Sequence, residues 1–197
     1  MNISPVITSL NYRISSDERK QMIQAANRIN LTILILTSLL SGNAYASFDV
    51  LLKSINDNQH KISEYIGHGK WAVLNIWGTR CPPCREEMPE LVRFHDEHKD
   101  NDAIVIGIAI DFPSYGYAKQ NEVISFADDY LIDFPILLSD ASITEKIGLG
   151  RLEGLPTTYV FNPNGDVVGM QVGGISQKIL EDFIEKIKLQ TPGSENK

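Results

Sequence analysis

Trp77-Gly78-Thr79-Arg80-Cys81-Pro82-Pro83-Cys84-Arg85-Glu86-Glu87-Met88-Pro89 is the stretch on which the fold and chemistry of this 197-residue chain turn. It holds both cysteines of the sequence, two residues apart. Before it runs Trp71-Ala-Val-Leu-Asn-Ile76, short and rich in large apolar side chains, which predicts a buried strand. After it a helix is expected, with Pro82 where a missing N–H costs nothing. A Cys-x-x-Cys at a strand-to-helix junction sets the first sulfur at a helix N-terminus, where free N–H groups and the helix dipole favour thiolate. Cys81 is therefore the expected, more exposed nucleophile, and Cys84, one turn in, the thiol that resolves the mixed disulfide.

Other roles for the pair fit less well. A purely structural disulfide closing so small a loop removes little chain entropy. Zinc is suggested by His95 and His98, but Cys84 and His95 are 11 residues apart on one expected helix, roughly 16 Å. Ligands must lie about 2–2.3 Å from one ion, so that helix would have to break. Covalent haem attachment needs a histidine directly after the second cysteine, and Arg85 stands there.

A second motif follows at Gly154-Leu-Pro-Thr-Thr-Tyr-Val-Phe-Asn-Pro-Asn-Gly165. Together and in this order, the two motifs resemble the TlpA/ResA-like thioredoxin family of exported thiol–disulfide oxidoreductases, over about residues 50–188. The resemblance implies a glutamate, here Glu87, that handles protons for the buried thiol. Three residues after Cys84, Glu87 shares its helix face; the plainer reading is a solvated carboxylate, as expected of Glu86. The resemblance also implies a cis peptide at Pro156, against the small cis fraction of X–Pro bonds generally. The backbone of Leu155 would then pair with an extended client segment. Trp77 and Phe112 are candidates for lining the client groove, or for core. Family members usually carry tryptophan before the first cysteine; Arg80 replaces it here and bears on client docking.

The implied activity is reduction of protein disulfides, with apocytochrome c thiols as the leading client class. No cofactor is expected, because the redox-active Cys81–Cys84 pair carries the electrons. A membrane thiol-reductant transporter would re-reduce the protein, which is expected to be a monomer. Rival readings are an oxidase or isomerase of secreted proteins, and a non-catalytic client-binding module. A peroxidase fits less well, lacking the Thr-x-x-Cys setting of peroxiredoxins.

Residues 1–46 read as a secretory signal. Arg28 precedes the apolar run 29–40, and Ser41-Gly42-Asn43-Ala44-Tyr45-Ala46 supplies small residues before a cleavage point. The run is shorter than the ~20 residues that span a bilayer. Translation from Met22 would give a signal of ordinary length; an uncleaved anchor is the alternative. Either places the domain outside the cytoplasm, in the periplasm or an equivalent space, where disulfides persist.

The first 46 residues hold four of the 18 basic and two of the 25 acidic side chains, leaving 14 and 23 and a formal charge of −9. Such a surface argues against nucleic-acid binding and serves solubility. His60 and His68 read as surface residues.

Residues 47–190 form one expected domain. A hairpin is predicted over 50–62, a helical turn at 63–66, strands at 71–76, 103–110, 135–138, 157–161 and 167–172. Helices are predicted at 84–99, with Pro89 kinking it, at 122–131, at 142–148 behind a Ser142/Glu145 capping box, and after Ser176. The buried stripe of the last is Ile179, Leu180, Phe183, Ile184 and Ile187. This order gives an α/β, thioredoxin-like fold, a central mixed sheet with helices on both faces. Residues 191–197 are an expected flexible tail.

Overall fold

In the computed structural model, which describes residues 48–190, seven strands form one sheet: β1 (Leu51–Ser54), β2 (Gln59–Lys61), β3 (Trp71–Trp77), β4 (Ala103–Ala109), β5 (Ile136–Leu138), β6 (Thr157–Phe161) and β7 (Val167–Val172). Their spatial order is β2-β1-β5-β4-β3-β6-β7. The predicted signal and tail lie outside the described residues. β3 and β4 are parallel, with Trp71 opposite Ala103 and Trp77 opposite Ala109. β6 runs antiparallel on the other side of β3. Every residue of β3 is buried, as a central strand covered on both faces requires.

Alternate side chains of these strands serve two cores. Val73, Trp77, Val105, Ala109 and Val160 face α1 (Pro82–His98), α2 (Gln120–Tyr130) and α4 (Gln177–Gln190). Leu74, Ile76, Ile106, Ile108 and Phe161 face the short α3 (Ile143–Lys146) and a 3-10 turn at Ile62–Glu64. The predicted mixed sheet with helices on both faces is the one observed.

Three details differ from expectation. α1 runs over Pro82–His98, starting two residues before the expected 84, with Pro89 inside it. Ser142 precedes α3 but makes no side-chain cap; its hydroxyl turns back to Asp140, whose carboxylate also accepts the Ser142 N–H. Ile179 is 54% exposed, because α4 buries only the narrower stripe of Leu180 and Ile184. The predicted cap of that helix is present: Ser176 Oγ accepts the Ile179 N–H at 3.4 Å.

Candidate active site

Cys81 occupies the N-cap of α1 in an extended conformation, followed by Pro82 at the first helical position. The Arg85 N–H reaches the Cys81 carbonyl at 3.1 Å, so the helix starts directly after Cys81. Cys81 and Cys84 are joined in a disulfide, their Cα atoms 5.3 Å apart. Cys81 is only 1% exposed and Cys84 fully buried. The expected exposed nucleophile is thus covered in the disulfide form: both sulfurs belong to the apolar cluster against which Phe112 and Leu155 pack.

Glu87 is buried, whereas Glu86 is exposed. Its Oε1 accepts from Asn75 Nδ2 at 2.9 Å, and its Oε2 from the Ile175 N–H at 2.9 Å. Asn75 Nδ2 also donates to Thr158 Oγ1 at 2.9 Å. These contacts follow from register: Asn75 on β3 sits opposite Thr158 on β6. Burial pushes the carboxyl up to about 7; the bonds from Asn75 and Ile175 pull it the other way. Desolvation outweighs two hydrogen bonds, so the group changes protonation near neutrality. A carboxyl of this kind, one helical turn past Cys84, is equipped to exchange protons there. The solvated-carboxylate alternative does not describe Glu87.

The Leu155–Pro156 bond is cis, and so is Phe112–Pro113, which the sequence did not suggest. Both loops press on Gly78: a Cβ there would stand 3.0 Å from Phe112 Cβ and 3.6 Å from Leu155 Cδ1. Glycine at this position therefore lets Leu155 and Phe112 close in beside the segment that enters Cys81. Pro156 is buried and Leu155 half-buried. Leu155, Pro156 and Phe112 are thus brought to the disulfide region.

Trp77 is not. It is fully buried, packed against Phe126 with ring centroids 4.8 Å apart and planes tilted by 40°, and its indole occupies the space left by Gly107, where a Cβ would stand 2.8 Å from Nε1. Seven consecutive buried residues in β3 leave it no route to a groove, so it is a core residue. Arg80 is 46% exposed on its side chain, bonded to Asp111 and 3.7 Å from Glu122 Oε2. Its charge is thus paired with carboxylates of the neighbouring loop and of α2.

His95 Nδ1 accepts the Val105 N–H at 3.0 Å, which ties it to β4 rather than to the cysteines. A cleft of about 280 Å³ between α1 and α4, lined by Phe94, His98, Asp102 and Lys188 among others, shares no residue with the disulfide. No helix among the described residues is long and apolar enough to cross a membrane. Asn75 and Thr158 were missed in the sequence. The available signals were an amide inside an otherwise apolar strand and the second threonine after Pro156.

Residues 41–170 match the AhpC/TSA family. The chain is 33% identical over 121 residues to the thiol–disulfide oxidoreductase ResA of Halalkalibacterium halodurans, covering 61% of this chain and 64% of that protein. It is 32% identical over 156 residues to the thiol:disulfide interchange protein DsbE of Pseudomonas aeruginosa, covering 79% of each. Among solved structures, a thiol:disulfide interchange protein of the thioredoxin family from Chlorobium tepidum superposes with a TM-score of 0.61 at 19% identity, over 74% of this chain and 97% of that one.

Proposed function

The chain belongs to the AhpC/TSA family, its domain is a thiol–disulfide oxidoreductase of the ResA type, and we propose that the protein works as a reductant of protein disulfides outside the cytoplasm. The observation that carries the exchange chemistry is the Cys81–Cys84 disulfide at the start of α1, with a buried carboxyl three residues on. The relatives named ResA and DsbE support thiol–disulfide exchange; the reducing direction rests on the likeness of the two sequence motifs to the TlpA/ResA-like family, and the location on the signal pattern in residues 1–46.

In this reading the Cys81 thiolate attacks one sulfur of a client disulfide, forming a mixed disulfide and releasing the other client sulfur as thiolate. Cys84 then attacks Cys81 Sγ, which breaks the mixed disulfide and frees the second client thiol. Two electrons pass to the client, and the protein ends as the Cys81–Cys84 disulfide. Glu87 takes the Cys84 proton when that sulfur becomes a nucleophile, and returns it on re-reduction. The client strand runs along the Leu155 backbone beside Pro156. No further cofactor is needed. The proposed client class is apocytochrome c thiols oxidised before haem attachment. A membrane thiol-reductant transporter restores the dithiol, and the protein acts as a monomer.

Thiol trapping in living cells tests the direction. A predominantly reduced Cys81/Cys84 pair, turning oxidised when the membrane reductant is removed, is the expected result. A pair that stays oxidised in growing cells would mark an oxidase instead.

A further inference from the structure

The Cys-Pro-Pro-Cys segment is bracketed by two arginines, Arg80 before it and Arg85 after it, and α2 receives both on one face. Glu122, Phe126 and Tyr130 are spaced four residues apart, so they line one side of that helix. Arg80 meets Glu122, and also Asp111. Lys119 closes the same cluster at 3.3 Å from Glu122 and 4.0 Å from Asp111. Two cations and two carboxylates balance there.

Arg85 is placed differently. Its guanidinium lies over the rings of Phe126 and Tyr130, 5.7 and 5.9 Å from their centroids, which are themselves stacked at 4.2 Å. Its Nη1 donates to the Thr79 carbonyl at 3.3 Å. Among the described residues it makes no ion pair with a carboxylate. Arg85 is the fourth helical residue after the Cys81 N-cap, its N–H bonded to the Cys81 carbonyl at 3.1 Å, and helical side chains lean toward the N-terminus. The contact with the Thr79 carbonyl shows that lean: the guanidinium is drawn back toward the loop that leads into Cys81.

We propose that Arg85 is the cation that stabilises the Cys81 thiolate of the reduced enzyme, held in place by Phe126 and Tyr130, while Arg80 is a strut between the active-site loop and α2. The inference rests on the reading of Cys81 as the attacking sulfur. The other charged groups of this segment and of the α2 face it meets are the balanced Arg80, Asp111, Lys119 and Glu122 cluster and the exposed Glu86; Glu87 is buried, bonded to Asn75 and Ile175. The aromatic pair keeps a flexible, exposed cation oriented without neutralising it, as a carboxylate would.

The test is alkylation of the reduced full-length protein by iodoacetamide against pH, at low and high salt, with the modified cysteine identified by peptide mass. Arg85→Gln should raise the midpoint for Cys81 by about half to one pH unit at low salt, and the difference should shrink at high salt. Arg85→Lys should restore most of it, and Arg80→Gln should move it by less than about a quarter of a unit. The glutathione equilibrium of Arg85→Gln should shift toward the disulfide by up to about tenfold, since a less stable thiolate disfavours the reduced form. An unmoved midpoint in Arg85→Gln, or a larger shift in Arg80→Gln, overturns the proposal while Cys81 remains the first site alkylated. First alkylation at Cys84 overturns the assignment of the nucleophile on which the proposal stands.

Discussion

Replacing Glu87 with glutamine should flatten the dependence of stability on pH. The carboxyl sits at about 7 in the folded protein against an ordinary 4.5, chiefly through burial. Between those values the unfolded chain has released its proton while the folded one keeps it. The folded state therefore binds more protons, and stability falls as pH rises through this window. A displacement of this size corresponds to roughly 3 kcal/mol at 1.36 kcal/mol per unit. It is absent at about pH 4 and complete above about pH 8. Glutamine cannot ionise and avoids this loss, but it presents an NH2 group where Asn75 Nδ2 or the Ile175 N–H now donates. That mismatch costs about 1–3 kcal/mol, nearly the same at every pH, so it cancels when the variant is compared with wild type across pH. Urea unfolding of the disulfide form of both proteins from pH 5 to 8 is the measurement. Over this range the wild-type curve should lose about 2.5 kcal/mol more than that of Glu87→Gln. Parallel curves would refute the claim that Glu87 is the buried group titrating near neutrality.

Further outcomes follow from the same geometry. Glu87→Gln should alter the pH profile of disulfide exchange more than Glu86→Gln, measured as initial rates; matching profiles would remove Glu87 from proton transfer. Cys84→Ser should accumulate mixed disulfides through Cys81 on non-reducing gels, and Cys81→Ser few; the reverse pattern would exchange their roles. His95 is held neutral by burial, below its ordinary 6.5, so the unfolded chain gains its proton first and His95 withdraws stability as pH falls below about 6.5. His95→Gln should remove that acid-side loss in denaturation measured from pH 6.5 to 5. The exported protein should begin at Ser47, by N-terminal sequencing or intact mass; a species retaining residues 29–40 would reveal an anchor.

The site was legible where its signals are local in sequence. Strand β3, the Cys81 N-cap, Pro82 and the position of Glu87 all lie within 17 residues, Trp71 to Glu87, and short-range periodicity and capping rules reach that far. The cis bond at Pro156 came from resemblance, since nothing in its neighbours dictates the isomer. Partners brought in by pairing were not legible. Thr158 stands 83 residues from Asn75, and the Ile175 N–H 88 residues from Glu87; only the β3–β6 register and the loop entering α4 bring them together. The ion-pair partner of Arg80 was not legible for the same reason, because Asp111 lies 31 residues away. The sequence leaves Trp77 open between groove and core; Gly107 on the adjacent strand provides the space that buries it.

The most direct test of the central claim is turnover with a protein disulfide. Purified full-length protein should accelerate the reduction of insulin by dithiothreitol, Cys81→Ser should abolish the acceleration, and Cys84→Ser should reduce it to little more than the uncatalysed rate. Wild-type protein with both cysteines intact that leaves the rate of insulin reduction unchanged would contradict the account and describe a module that binds clients without exchanging their disulfides.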